Sequence, residues 1–207
     1  MRFTRSVAVV LVAPLLLTAC FTGKRPSFGT QSDPSVAAVL SKLDVASVGP
    51  FTATYSLLTR FGNLTTPATV SMSSPSTRSI TIGAVRYLFG DSGPRTCSLA
   101  TGECSAQADD AQVSNLSLTH DFYGASPAAR IRQDVNTMVG NAIGSTEQIA
   151  GQTATCVQIP FTAGSKKYCT LDNGLLAFQD TPDLQITILT VVDTADPQLF
   201  TSSTVAP

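Results

Sequence analysis

Alternating apolar and hydroxyl-bearing residues, recurring at intervals too short for a crossover, constrain the fold of this 207-residue chain more than any other feature. Phe51, Ala53, Tyr55 and Leu57 alternate with Thr52, Thr54 and Ser56, and the same period returns at Val70/Met72, Ile80/Ile82 and Val85/Tyr87/Phe89. Successive strand side chains point to opposite faces, so each run predicts a strand with one apolar side. The connections Ser74-Pro75 and Asp91-Ser92-Gly93-Pro94 are short, whereas parallel neighbours need a dozen or more residues between them. An antiparallel meander is therefore expected. Strands resume at 153–161, 167–171, 175–179 and 184–192, with Asp172-Asn173-Gly174 as a hairpin turn, because Asn and Gly tolerate positive φ.

Two short helices punctuate the strands. Asp33 can cap a first helix with Pro34 in its opening position and Val36, Val39, Leu40 and Leu43 on one face, ending before Gly49-Pro50. A second is expected over 126–141, with Ser126 as cap, Pro127 at the first position, Ile131, Val135, Met138 and Val139 on one face, and Gly144 closing it. The tail from Asp193 to Pro207 is expected to fray, although Phe200 can dock.

Two short helices cover little of a sheet of about eight to ten strands. The fold class expected is α+β, with the sheet either closed into a packed barrel or curved into an open half-barrel that holds the helices in its concave face. The concave candidates are Phe51, Tyr55, Val70, Met72, Ile80, Ile82, Tyr87, Phe89, Phe178, Ile186 and Ile188, with Ile131, Val135 and Met138 from the second helix. Core packing and contact with a greasy ligand share this periodicity, so both roles stay open.

The N-terminus carries an address. Arg2 and Arg5 precede an apolar run from Val7 to Leu17, and Leu17-Thr18-Ala19-Cys20 resembles the lipobox of bacterial lipoproteins. The run is shorter than the ~20 residues a membrane span requires. Residues 1–19 thus read as a signal peptide and Cys20 as the lipidated residue; two or more acyl chains give stable anchoring. Residues 20–32 mix Gly, Pro, Thr, Ser and Lys without periodicity and read as a tether, leaving 33–207 as a single domain. The expected location is the extracytoplasmic face of a cell membrane.

The four other cysteines, Cys97, Cys104, Cys156 and Cys169, are even in number in an exported domain and predict two disulfides. Of three pairings, Cys97 with Cys104 and Cys156 with Cys169 is favoured, because each pair flanks a short segment carrying turn residues. Zinc is disfavoured by the lack of CxxC-like spacing.

Beyond residue 19 the chain holds 11 basic and 14 acidic groups, so nothing points to nucleic acid. His120 is the only histidine; the adjacent Asp121 does not ordinarily face it, and a surface or capping role is expected. No Gly-x-Ser-x-Gly elbow or Ser-x-x-Lys set is present. Asp109-Asp110 and the later aspartates lack the spacing of a calcium loop and fit turns. Lys166-Lys167 reads as a solvated hairpin. Neither enzymatic activity nor a cofactor or metal is expected.

The order of lipobox, tether, short helix, strand meander, later helix and final strands is similar to that of the LolA-like lipoprotein superfamily, including its LppX and LprG branch. Phe51-Thr52-Ala53-Thr54-Tyr55 resembles the opening strand of such proteins. Ile149 to Cys156, continued by Tyr168-Cys169 and Asp172-Asn173-Gly174-Leu175, resembles their late hairpins. The resemblance implies a curved antiparallel half-barrel packed on helices, some members of which hold acyl chains between the two. It transfers no lipid-contact motif residue by residue. Two functions follow as expectations: an anchored protein that binds, carries or senses a lipid or lipoglycan, or a structural or regulatory lipoprotein with a filled core that contacts another envelope protein.

Overall fold

A computed structural model describes residues 33–45 and 49–202; Cys20 and the signal and tether segments lie outside these. The chain runs through α1 (Pro34–Leu43), β1 (Phe51–Thr59), β2 (Leu64–Ser74), β3 (Thr77–Ile82), β4 (Val85–Phe89), β5 (Arg95–Ser98) and β6 (Cys104–Ser105). It continues through α2 (Ala125–Val135), β7 (Ile143–Ile149), β8 (Gln152–Phe161), β9 (Gly164–Leu171), β10 (Leu176–Asp180) and β11 (Leu184–Val192). All eleven strands form one antiparallel sheet in the order β6-β5-β4-β3-β2-β1-β11-β10-β9-β8-β7. Two meanders are thus joined where the first strand pairs with the last. The sheet is curved and unclosed, an α+β half-barrel, with the helices over its concave face.

α1 forms where the sequence places it. The Asp33 carboxylate accepts from Ser35 N at 2.9 Å and Val36 N at 3.2 Å, which satisfies two of the helix's unpaired N–H groups. Val36, Val39, Leu40 and Leu43 are buried against the sheet. The other oxygen of Asp33 accepts from Ala142 N at 3.2 Å, tying the start of α1 to the approach to β7.

α2 is shorter than its pattern suggests. It starts at Ala125 after Gly124, not at Ser126, and it ends at Val135. Asn136, Thr137 and Met138 then bond back three residues, to Gln133, Asp134 and Val135, which tightens the last turn. Gly140 turns the chain at φ 85°, and Val139 N bonds Pro160 O at the end of β8. Val139, expected on the apolar helix face, is therefore 58% exposed.

β7 was not evident as a strand. Its sequence, Ile-Gly-Ser-Thr-Glu-Gln-Ile, has no apolar alternation because it is an edge strand exposed along most of its length, with only Ile149 packed against the core. Residues 193–202, expected to fray, instead cross the convex face. Asp196 N donates to Thr52 Oγ1 and Ser71 Oγ, each at 3.0 Å, Ser79 Oγ donates to Leu199 O at 2.6 Å, and Arg86 Nη1 donates to Thr201 O at 2.9 Å. A 3-10 turn over Pro197–Phe200 closes this strap.

Candidate functional site on the concave face

The register explains which side chains meet on the concave side. Tyr55 stands between Ala68 and Ile188, Leu57 stands opposite Ile186, and Ile80 lies between Val70 and Tyr87. Phe51, Met72, Arg78 and Phe89 form the next row toward one end. Phe51, Tyr55, Val70, Met72, Ile80, Ile82, Tyr87, Ile131, Ile186 and Ile188 are all 0–4% exposed, while Phe89, Val135 and Met138 are partly buried.

Phe178 does not belong to this set. It stands opposite Thr187, and its neighbour Gln179 stands opposite Ile186, which puts Gln179 on the concave side and Phe178 on the convex. A register shift between Leu176 and Phe178 inverts the expected alternation. On the convex side Phe178 has the Lys167 ammonium 5.6 Å from its ring centre.

A roof of short elements closes the concavity. Phe122, from the irregular segment before α2, meets Tyr55 edge to face with ring centres 5.1 Å apart, and Tyr123 adjoins Phe122 at 5.8 Å. The segment is fastened to the sheet by Leu176 N donating to Tyr123 O at 2.8 Å. His120, the sole histidine, is bonded not to Asp121 but to Asp110: its Nδ1 lies 3.0 Å from Oδ1, and its backbone N–H donates to the same oxygen at 2.7 Å. The imidazole lies against Phe89 and Tyr87, at 5.2 and 5.5 Å between ring centres.

Under α2 the polar core is paired. The Tyr168 hydroxyl donates to Asp134 Oδ2 at 2.6 Å, and Lys166 donates to Oδ1 at 2.5 Å. Tyr87 donates to Asp109 O at 3.2 Å. The Tyr55 hydroxyl is not paired: its side chain is 1% exposed and the oxygen has no hydrogen-bond partner among the described residues, a condition shared by Thr59 Oγ1, Arg78 Nε and Arg95 Nε.

Burial raises the pKa of all four tyrosines. At Tyr55 burial is followed by the neighbouring Tyr123, at Tyr87 by the carboxylates of Asp110 and Asp109, and at Tyr168 by the bond to Asp134. At Tyr123 the guanidinium of Arg78 opposes the rise. Every phenol is accordingly a neutral donor near pH 7. On the convex side, burial lowers the pKa of Arg86, opposed by Asp196.

Free space beneath the roof differs between its two sides. The gap bounded by Leu118, Phe122, Pro127, Arg130, Gln179 and Ile186 holds about 10 Å³. A larger cleft of about 310 Å³ lies at the β6 end, between Gln112 and Val85, Thr96, Ser98, Glu103 and Ser105. Its lining is more polar than the buried rows. The cysteines pair as expected, Cys97 with Cys104 across β5 and β6 and Cys156 with Cys169 across β8 and β9, each pair directly opposite in register.

Phe122, Tyr123, Asp134 and Tyr168 were not among the sequence candidates. Phe122 and Tyr123 sit in a segment with no period, and Asp134 pairs with a residue 34 positions away. Only the adjacency of two aromatics at 122–123 offered a signal.

No family model matches the chain, and no curated protein matches it in sequence. Among solved structures it is similar to MucB in complex with MucA from Pseudomonas aeruginosa, at 15% identity and a TM-score of 0.49. That match covers 79% of this chain and 60% of the other, so this chain spans less than two thirds of that length. An uncharacterized conserved protein from Thermus thermophilus matches at 9% identity and a TM-score of 0.45, covering 79% and 90%. LprF from Mycobacterium bovis matches at 13% identity and a TM-score of 0.38, covering 80% and 95%. The half-barrel roofed by short helices, read from the strand order itself, is the architecture that the resemblance to the LolA-like lipoproteins implies.

Proposed function

We propose that the protein is a non-enzymatic lipoprotein, anchored through Cys20 on the extracytoplasmic face of a cell membrane, that binds a hydrophobic ligand, a lipid or lipoglycan, on the concave face of its half-barrel. The observation that carries this reading is Tyr55. A buried hydroxyl without a partner costs about 1–3 kcal/mol, and this one belongs to a ring set between Ala68 and Ile188, directly beneath the Phe122 roof. A ligand with an apolar body and one acceptor oxygen supplies what the site lacks. Entry requires the segment carrying Phe122 and Tyr123 to lift, since the rows beneath it are closed as described.

The narrow gap under α2 favours a second reading: a filled core, with function exerted through contacts with another envelope protein. The two readings separate in a native mass spectrum and organic extract of the protein purified from envelopes of the producing cell without denaturation. Acyl species in amounts matching the protein are the expected result. A ligand-free protein that also fails to move labelled lipid between vesicles overturns the carrier reading and leaves the second.

A further inference from the structure

We infer that the end of the half-barrel formed by the β1–β2 turn and the start of β7 rests on the bilayer, with Phe61 seated among the lipids. The inference rests on the proposed anchoring through Cys20.

Phe61 is 93% exposed, the most exposed large apolar side chain among the described residues. It stands at the tip of a turn whose stem is pinned. Arg60 N donates to Asp183 O at 2.9 Å, Arg60 Nε donates to Thr181 O at 3.1 Å, and its guanidinium pairs with Asp180. Gly62 at φ 78° and Asn63 at φ 49° complete the turn. The tip is thus presented by a fixed base, and Leu64 beside it is 52% exposed.

A single exposed apolar residue means little; its company gives it a role. The register puts Thr59 and Leu64, Leu184, the 162–163 turn and Ile143 at the same end of the sheet. Ile143 is 61% exposed there, and Val139, bonded to Pro160 O, is 58% exposed. Asp33 is held to Ala142 at this same end, so the segment leading back to Cys20 leaves from it. The turns at the opposite end are made of Ser74-Pro75-Ser76, Asp91-Ser92-Gly93-Pro94 and Asp172-Asn173-Gly174.

Length supplies the remaining argument. Cys20 precedes Asp33 by 13 positions, which, as the tether its composition suggests, would span about 20 Å on average. The nine residues of β1 extend about 30 Å, so the tether keeps the Phe61 end near the membrane and the other end a strand length away. The basic side chains near this end are paired, Arg60 with Asp180, Lys166 with Asp134 and Lys167 with Glu147, and the exposed acids are Asp183 and, at the far β6 side, Glu103. The contact made by the Phe61 tip is therefore apolar.

The test uses the absence of tryptophan from the chain. Phe61→Trp and, at the opposite end, Val192→Trp are each made in the full lipidated protein and incorporated into phosphatidylcholine vesicles with brominated acyl chains. Phe61→Trp is expected to be quenched, since an apolar side chain at the interface reaches about 5–10 Å into the headgroup and acyl boundary, while Val192→Trp keeps its emission. Vesicles that carry the protein on flotation but leave Phe61→Trp unquenched, or quench both variants equally, overturn the inference and leave the anchoring intact. A protein that fails to float with vesicles overturns the anchoring and the inference together.

Discussion

Tyr55 on β1 and Asp134 on α2 show how differently two buried polar groups are treated. Asp134, 6% exposed, accepts from both Tyr168 and Lys166, so Asp134→Ala strips a buried phenol of its partner. A loss of about 2–3 kcal/mol in urea unfolding is expected, larger than that from Tyr168→Phe, which leaves Asp134 bonded to Lys166. Tyr55→Phe should act in the other direction. It removes an unpartnered hydroxyl and keeps the ring on Phe122, so the ligand-free protein should gain about 1 kcal/mol in the same measurement while retaining less lipid. A clear loss of stability in the ligand-free variant would mean the hydroxyl is satisfied in solution. At this scale the sequence was legible where partners are local. Asp33 caps a helix two and three residues ahead, whereas the ties of His120 to Asp110 and of Asp134 to Tyr168 depend on how distant segments pack.

The disulfides follow the same logic at the scale of elements. Cys156 and Cys169 are 1% and 0% exposed, whereas Cys104 is exposed on a two-residue edge strand. Limiting reductant followed by alkylation and peptide mass spectrometry should find Cys97–Cys104 opened first. Loss of either bridge should destabilise by about 2–3 kcal/mol, with the wider Cys156–Cys169 loop at the upper end of the range. Full protection of both bridges against alkylation in the native state would contradict the exposure of Cys104. Strands with one wet face, such as β1, showed their period plainly, because burial and solvent alternate along them. β7 did not, since it is exposed along most of its length, and the face taken by Phe178 is not legible because a bulge resets parity without marking the sequence. α2 outran its true end because Met138 and Val139 continue an apolar spacing that the tertiary bond of Val139 to Pro160 overrides.

The whole molecule should respond to alkali as a unit. All four tyrosines have folded-state pKa values above those of the unfolded chain, so the folded state holds more protons once the pH passes about 10. Stability from this source is complete below that pH and falls as the pH rises further. Tyrosinate absorbance should therefore appear together with loss of structure by circular dichroism; early ionisation of even one tyrosine in the folded protein would argue against its burial. The half-barrel was foreseeable from closely spaced alternating runs, but the position of its seam was not, because pairing between β1 and β11 has no local signature. That seam makes completion of the fold depend on the end of the chain. Each meander closes only short loops, whereas joining them brings together residues such as Thr52 and Val192 across most of the domain and bears the larger entropy of a long loop. Under the export proposed above, the central strand pair could not form until β11 had crossed the membrane. Truncation before Leu184 would leave two half-sheets with their central edges unpaired, a state that aggregation and proteolysis find first.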